Sequence, residues 1–315
     1  MKREFKTIEE QIEILKSKGL KFKNEENAKH ILLRENYYYL TEEYENVFMD
    51  LKRSTEKKDV FMPDTYFEEL YAIYNMDREF RNLIFDYINL IETHVKSYVS
   101  YTFSKKYGYK DYLKRENFIE GKKFNKNVNK LLNEIEKNRN RNFKTPGSNE
   151  KKYLDENGIL PLWVLVKAFT FGNITNFYGL MKMQEKEEVA KLYKSNPYSL
   201  SQYLKMLNIV RNICAHGDIL FNIRTVRRLY ESDCKELEEL EIEKKDNKYI
   251  CGTNDLFAII IIIKKLITPG EFSKMFIKIE NILSDVREEL DELSFKNLLK
   301  SMGFPSNYNM LDSLI

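Results

Sequence analysis

Arg211, Asn212 and His216 stand within six residues of one another in the stretch NPYSLSQYLKMLNIVRNICAHGDILFN, which runs from Asn196 to Asn222. Histidine titrates near neutrality and can take or give a proton, while a guanidinium holds a phosphate through two parallel hydrogen bonds. Together they suit cleavage of RNA by its own 2′-hydroxyl without a metal. In that chemistry His216 transfers the proton, Arg211 stabilises the charge, and Asn212 orients the phosphate or the imidazole. Proton transfer by a positioned side chain contributes about 10²- to 10⁴-fold in rate. The same spacing also has a plainer reading, in which an Arg and a His near a helix end cap carbonyls and pair with Asp218.

The element that must position these residues is a helix. Pro197 or Ser199 can open it, and Leu200, Tyr203, Leu204, Leu207, Val210, Ile213 and Cys214 lay an apolar stripe along it. Lys205, Asn208, Asn212 and His216 form the opposite stripe. At about 100° per residue Asn212 and His216 are nearly one above the other, and Arg211 lies about 140° from His216, an angle its long stem can cover. Gly217 follows directly as a helix stop, which puts His216 in the last turn, where the negative end of the dipole favours imidazolium.

The rest of the chain reads as all-α, a multi-helix bundle. Gly (11) and Pro (6) are scarce among 315 residues, and helical periods recur from the Thr7 capping box to the tail at 272–299. Pro63-Asp64 predicts a helix start leading into two long helices, or one bent near Asp77, that reach about Lys106. Arg78, Arg81, Glu92, His94 and Lys96 are polar residues on these helices, with Glu92 and Lys96 as a surface pair. The stretch from Pro161 to Met183, Trp163 included, reads as central core. Three divisions are expected: an N-terminal helical region (1–60), a bundle (61–230) with a basic insertion (121–152), and a C-terminal helical extension (231–315).

Three scattered cysteines supply neither a disulfide framework nor zinc-ligand spacing, so no metal or other cofactor is expected and a reducing cytoplasm suits the thiols. The N-terminus lacks a secretory apolar stretch, and the longest apolar run, Leu256 to Ile263, falls far short of the roughly 20 residues of a membrane span. No glycine-rich phosphate loop appears.

Charge is segregated. Residues 121–152 carry ten bases against three acids, and residues 231–246 carry eight acids against three bases, in a chain whose net charge is only +3. Clustered cations displace the counterions of a phosphate backbone, so Lys122, Lys123, Lys126, Lys130, Lys137, Arg139, Arg141, Lys144 and, on the motif helix, Lys205 are candidate RNA contacts. Asn138 to Ser148, with Pro146-Gly147, reads as a mobile loop.

Arg211-Asn212-x-x-x-His216 at a helix end resembles the R-x4-6-H motif of HEPN-domain ribonucleases. The wider chain, over roughly residues 5 to 225, resembles abortive-infection proteins of the AbiD/AbiF type. Lys18-Gly19-Leu20, Asn36-Tyr37-Tyr38, Leu70-Tyr71 to Arg81, Ile91-Glu92, Pro161-Leu162-Trp163, Phe171-Gly172 and the motif follow in matching order. The resemblance implies a HEPN-like bundle, antiphage defence by RNA cleavage, Arg211 and His216 as the catalytic pair with Asn212 as the motif's polar neighbour, and association with a small non-coding RNA. One departure is Ile219, where a basic residue is expected shortly after the motif; Arg224 is the next candidate. Neither His30 nor His94 has an Arg four to six residues upstream. The single motif copy therefore implies a homodimer, because HEPN nucleases commonly build a site from two. The residues alone leave two other readings open: a non-catalytic RNA-binding module, and a protein–protein module docking through the acidic 231–246 stretch.

Overall fold

A computed structural model describes residues 5–41, 44–50, 53–54, 60–109, 111–142, 151–154, 158 and 160–314. The described chain is all-α apart from one two-residue hairpin. In order it forms α1 (Ile8–Ser17), α2 (Glu25–Glu35), α3 (Tyr37–Thr41), α4 (Phe67–Tyr107), α5 (Lys122–Asn142), α6 (Leu162–Leu165), α7 (Phe171–Leu180), α8 (Met183–Leu192), α9 (Pro197–His216), α10 (Lys235–Glu239), α11 (Leu256–Leu266), α12 (Pro269–Glu289) and α13 (Glu292–Met302).

The spine is α4, whose 41 residues rise about 60 Å. It is one uninterrupted helix where two were an alternative, and it starts at Phe67 rather than at Pro63-Asp64. Asp64 adopts a left-handed φ of 62°, and the capping box closes on Tyr66 and Glu69. Its buried face, from Phe67 through Ile73, Phe80, Ile84, Ile88, Ile91 and Val95 to Phe103, recurs every three to four residues and packs against α7, α8, α9 and α12. Glu92 and Lys96 pair at 2.7 Å as their spacing requires. Arg81 is different: the expected surface residue is buried and ion-paired with Asp77 one turn earlier.

The apolar run Leu256 to Ile263 is buried on every face within α11, as expected of a helix that is hydrophobic all round. Asp255 caps it, accepting hydrogen bonds from Ala258 N (3.0 Å) and Gly252 N (2.8 Å). Gly303, at φ +79°, lies so close that a Cβ there would run into the Asp255 carboxyl. Gly303→Ala is therefore expected to destabilise the protein by about 1–3 kcal/mol through the left-handed backbone alone, with the clash added; chemical denaturation measures it.

Two further expectations are corrected. Helix α5 continues through Asn142, so residues 138–142 are helical where a loop was read: no Gly or Pro interrupts the chain before Pro146. The remainder of that segment, 143–150, lies outside the described residues. Trp163 is 50% exposed rather than core, while its neighbours Leu162 and Leu165 take the buried positions of a single helical turn. The acidic 231–246 stretch is only partly outward. Glu236 is buried against Lys265 (2.6 Å) and Asp233 accepts from Ser199 Oγ (2.9 Å), and the stretch runs into a hairpin pairing Lys244 with Tyr249. Among the described residues no helix is long and apolar enough to cross a membrane.

Candidate functional site

The motif helix α9 begins and ends where its residues dictate. Asn196 caps it by accepting from Tyr198 N and Ser199 N, and Pro197 occupies the first turn. At the other end Gly217 takes φ +75°, which lets Asp218 N bond back to Ile213 O at 3.1 Å and closes the helix directly after His216. Leu200, Leu204, Leu207 and Val210 are buried, so α9 is held by one face and offers the other.

His216 and Asn212 are exposed on that outer face. Arg211 is half-buried, and its guanidinium carbon lies 5.4 Å from the ring centroid of Phe85 on α4. Its Nε is buried without a hydrogen-bond partner, and no carboxylate pairs with it among the described residues. The cation is thus braced on an aromatic face and free of a counter-charge, the state in which it can accept an anion. Asp218 pairs with neither Arg211 nor His216 among the described residues, which removes the ion-pair part of the plainer reading. Asn208, one turn before Asn212, lies where Gly172 of α7 leaves room: a methyl group on Gly172 would sit 3.4 Å from Asn208 Oδ1. Arg224 is exposed and donates to Ile223 O at 2.7 Å.

Directly beneath the motif lies a polar network that spacing alone did not point out. Asp77 is fully buried and accepts from Phe221 N (2.7 Å), Leu220 N (3.2 Å) and the Tyr44 hydroxyl (2.8 Å), besides its ion pair with Arg81. Burial pushes the Asp77 carboxyl above the ordinary carboxylate range, against the pull of Arg81, Tyr44 and the two backbone N–H groups. Tyr44 also stacks on Phe221, with ring centroids 5.3 Å apart. The chain leaving His216 is therefore gripped four residues later by α4. The signal available in the sequence was an Asp and an Arg four apart within an apolar helical stripe.

The candidate RNA contacts divide by what the structure describes. Lys122, Lys123, Lys126, Lys130 and Lys137 are all exposed on α5. Val128, Leu131 and Ile135 are buried on its inner face, and at about 100° per residue every one of the five lysines falls on the opposite half of the helix. Arg139 and Arg141 belong to α5 by backbone, and Lys144 lies outside the described residues. Lys205 is half-buried rather than freely exposed. It lines a cavity with Lys130, which brings the motif helix and the lysine helix to one place.

Burial pushes the Cys214 thiol up to about 12, and Cys234 and Cys251 to about 11, so all three are held protonated and none is poised as a nucleophile. Among the described residues no three His, Cys, Asp or Glu side chains gather as a metal centre requires.

An all-α fold with an outward Arg–Asn–His cluster at a helix end defines a class of candidate phosphate-handling proteins. The family is more specific: residues 30–222 match the family model for Abi-like protein, and the chain belongs to that abortive-infection family. No curated protein and no solved structure matches the chain.

Proposed function

We propose that this chain is an antiphage abortive-infection protein of the AbiD/AbiF type and a metal-independent endoribonuclease of the HEPN kind. It cuts RNA by attack of the 2′-hydroxyl and leaves 2′,3′-cyclic phosphate and 5′-hydroxyl ends. The observation that carries this reading is Arg211: a guanidinium seated on Phe85, without a carboxylate partner among the described residues, on the same helix end as exposed Asn212 and His216. His216 moves the proton, Arg211 holds the charge on the phosphate, and Asn212 orients it. The protein acts in the cytoplasm as a homodimer that brings two motif helices together, with a small structured RNA as partner.

The test is incubation of purified protein with a labelled RNA in excess chelator, followed by analysis of the ends and of the particle mass. Cleavage with cyclic-phosphate ends by a dimer is the expected result. Cleavage that disappears with the chelator would remove the metal-independent mechanism, and a cleaving monomer would remove the two-motif site.

A second reading is favoured by the single-sided lysine stripe of α5, which suits a non-catalytic RNA-binding module. It predicts RNA affinity that falls with salt and no cleavage in any buffer.

A further inference from the structure

Between α5, α7 and α9 lies a cavity of about 390 Å³ with Phe124, Lys130, Thr175, Asn176, Gly179 and Lys205 in its walls. Four features of it ask for a ligand. Lys205 is half-buried without a carboxylate partner among the described residues, and the charges that act on it and its neighbourhood are the cations Arg227 and Lys186. Thr175 is only 4% exposed, yet its Oγ1 has no hydrogen-bond partner among the described residues. Gly179 is helical, its carbonyl accepts from Lys186 Nζ at 2.5 Å, and a Cβ there would meet no atom within 4 Å. Glu134, the acid in the wall, is already engaged by Asn173 Nδ2 (3.2 Å) and Lys130 (3.8 Å).

Uncompensated lysines and a buried unpaired hydroxyl together require an anion with hydrogen-bonding oxygens. A bare phosphate would leave most of the space empty, since the volume is in the range of about 300–1,000 Å³ typical of pockets for larger small molecules. The half-buried ring of Phe124 offers the face on which a base stacks.

We propose that this cavity is a nucleotide-binding pocket, with the phosphate on Lys205, Lys130 and Thr175 Oγ1 and the base on Phe124. Lys205 also begins the polar stripe that runs through Asn212 to His216, about 16 Å along α9. A strand seated in the pocket would therefore continue toward the motif. Placing the nucleotide in a strand rests on the ribonuclease reading; the pocket itself does not.

The test uses the full chain and two probes: adenosine 5′-monophosphate, and a single-stranded hexanucleotide fully 2′-O-methylated so that it cannot be cut. Lys205→Gln is expected to weaken binding about tenfold, the size of a lost charge-assisted hydrogen bond, and Thr175→Val about three- to tenfold. Gly179→Leu, which fills the open space, blocks binding. Lys137→Gln, on the exposed stripe away from the cavity wall, leaves mononucleotide binding unchanged, and His216→Ala leaves both probes bound. Competition between the two probes assigns the pocket to a strand, and a response of the mononucleotide alone assigns it to a free nucleotide. Failure of both probes to bind, equal binding by the cavity variants and the parent, or equal losses from Lys137→Gln and Lys205→Gln would overturn the pocket. The chelator-resistant cleavage assay stands or falls separately from any of these.

Discussion

His216→Ala is expected to lower the rate of RNA cleavage by about 10²- to 10⁴-fold, the range supplied by a positioned general acid or base. It should leave the unfolding midpoint and RNA affinity nearly unchanged. The residue is exposed in the last turn of α9 and makes no packing contribution that a methyl group would forfeit. Arg211 separates two contributions that histidine does not. Arg211→Lys keeps a positive charge but loses the planar fork that binds two phosphate oxygens and lies flat on Phe85, so cleavage should fall nearly as far as with Arg211→Ala. Single-turnover cleavage of one labelled RNA, measured beside a denaturation curve for each variant, reads both outcomes. A His216→Ala protein that cuts at the parent rate removes the catalytic assignment; an Arg211→Lys protein that does so removes the bidentate one.

The motif helix was legible because both of its ends are written locally: Asn196-Pro197 at the start, Gly217 at the stop, and an apolar stripe between. The outward polar face of α5 was legible for the same reason, as a period of lysines out of phase with Val128, Leu131 and Ile135. Contacts between distant segments left no such record. Asp77 lies 143 residues from Leu220, and no local pattern says that its carboxylate receives that backbone. Arg81 was read as a surface residue because arginine usually is one, and burying it required a partner one turn away and a tyrosine from a third segment. Lys205 shows the same limit: helical phase placed it on the outer stripe, while α5 and α7, packed beside it, turned that part of the stripe into a cavity wall.

Asp77 is where fold and site can be separated by experiment. Asp77→Ala is expected to cost about 3–5 kcal/mol, because it strands the Arg81 guanidinium in the interior and removes the acceptor for Leu220 N and Phe221 N. A loss of that size lowers activity by unfolding alone, so the informative variant is the pair Asp77→Leu with Arg81→Leu. Replacing both members of a buried ion pair by apolar residues is often neutral for stability, since neither charge is left uncompensated. The double variant should therefore recover most of the unfolding free energy. It cannot restore an acceptor for the two N–H groups that follow the motif turn. If that grip positions His216, cleavage stays low in a protein that melts near the parent temperature, and the deficit lies in the maximal rate rather than in RNA affinity. If cleavage returns together with stability, Asp77 holds the fold and nothing more, and the helix end at Gly217 positions the histidine unaided.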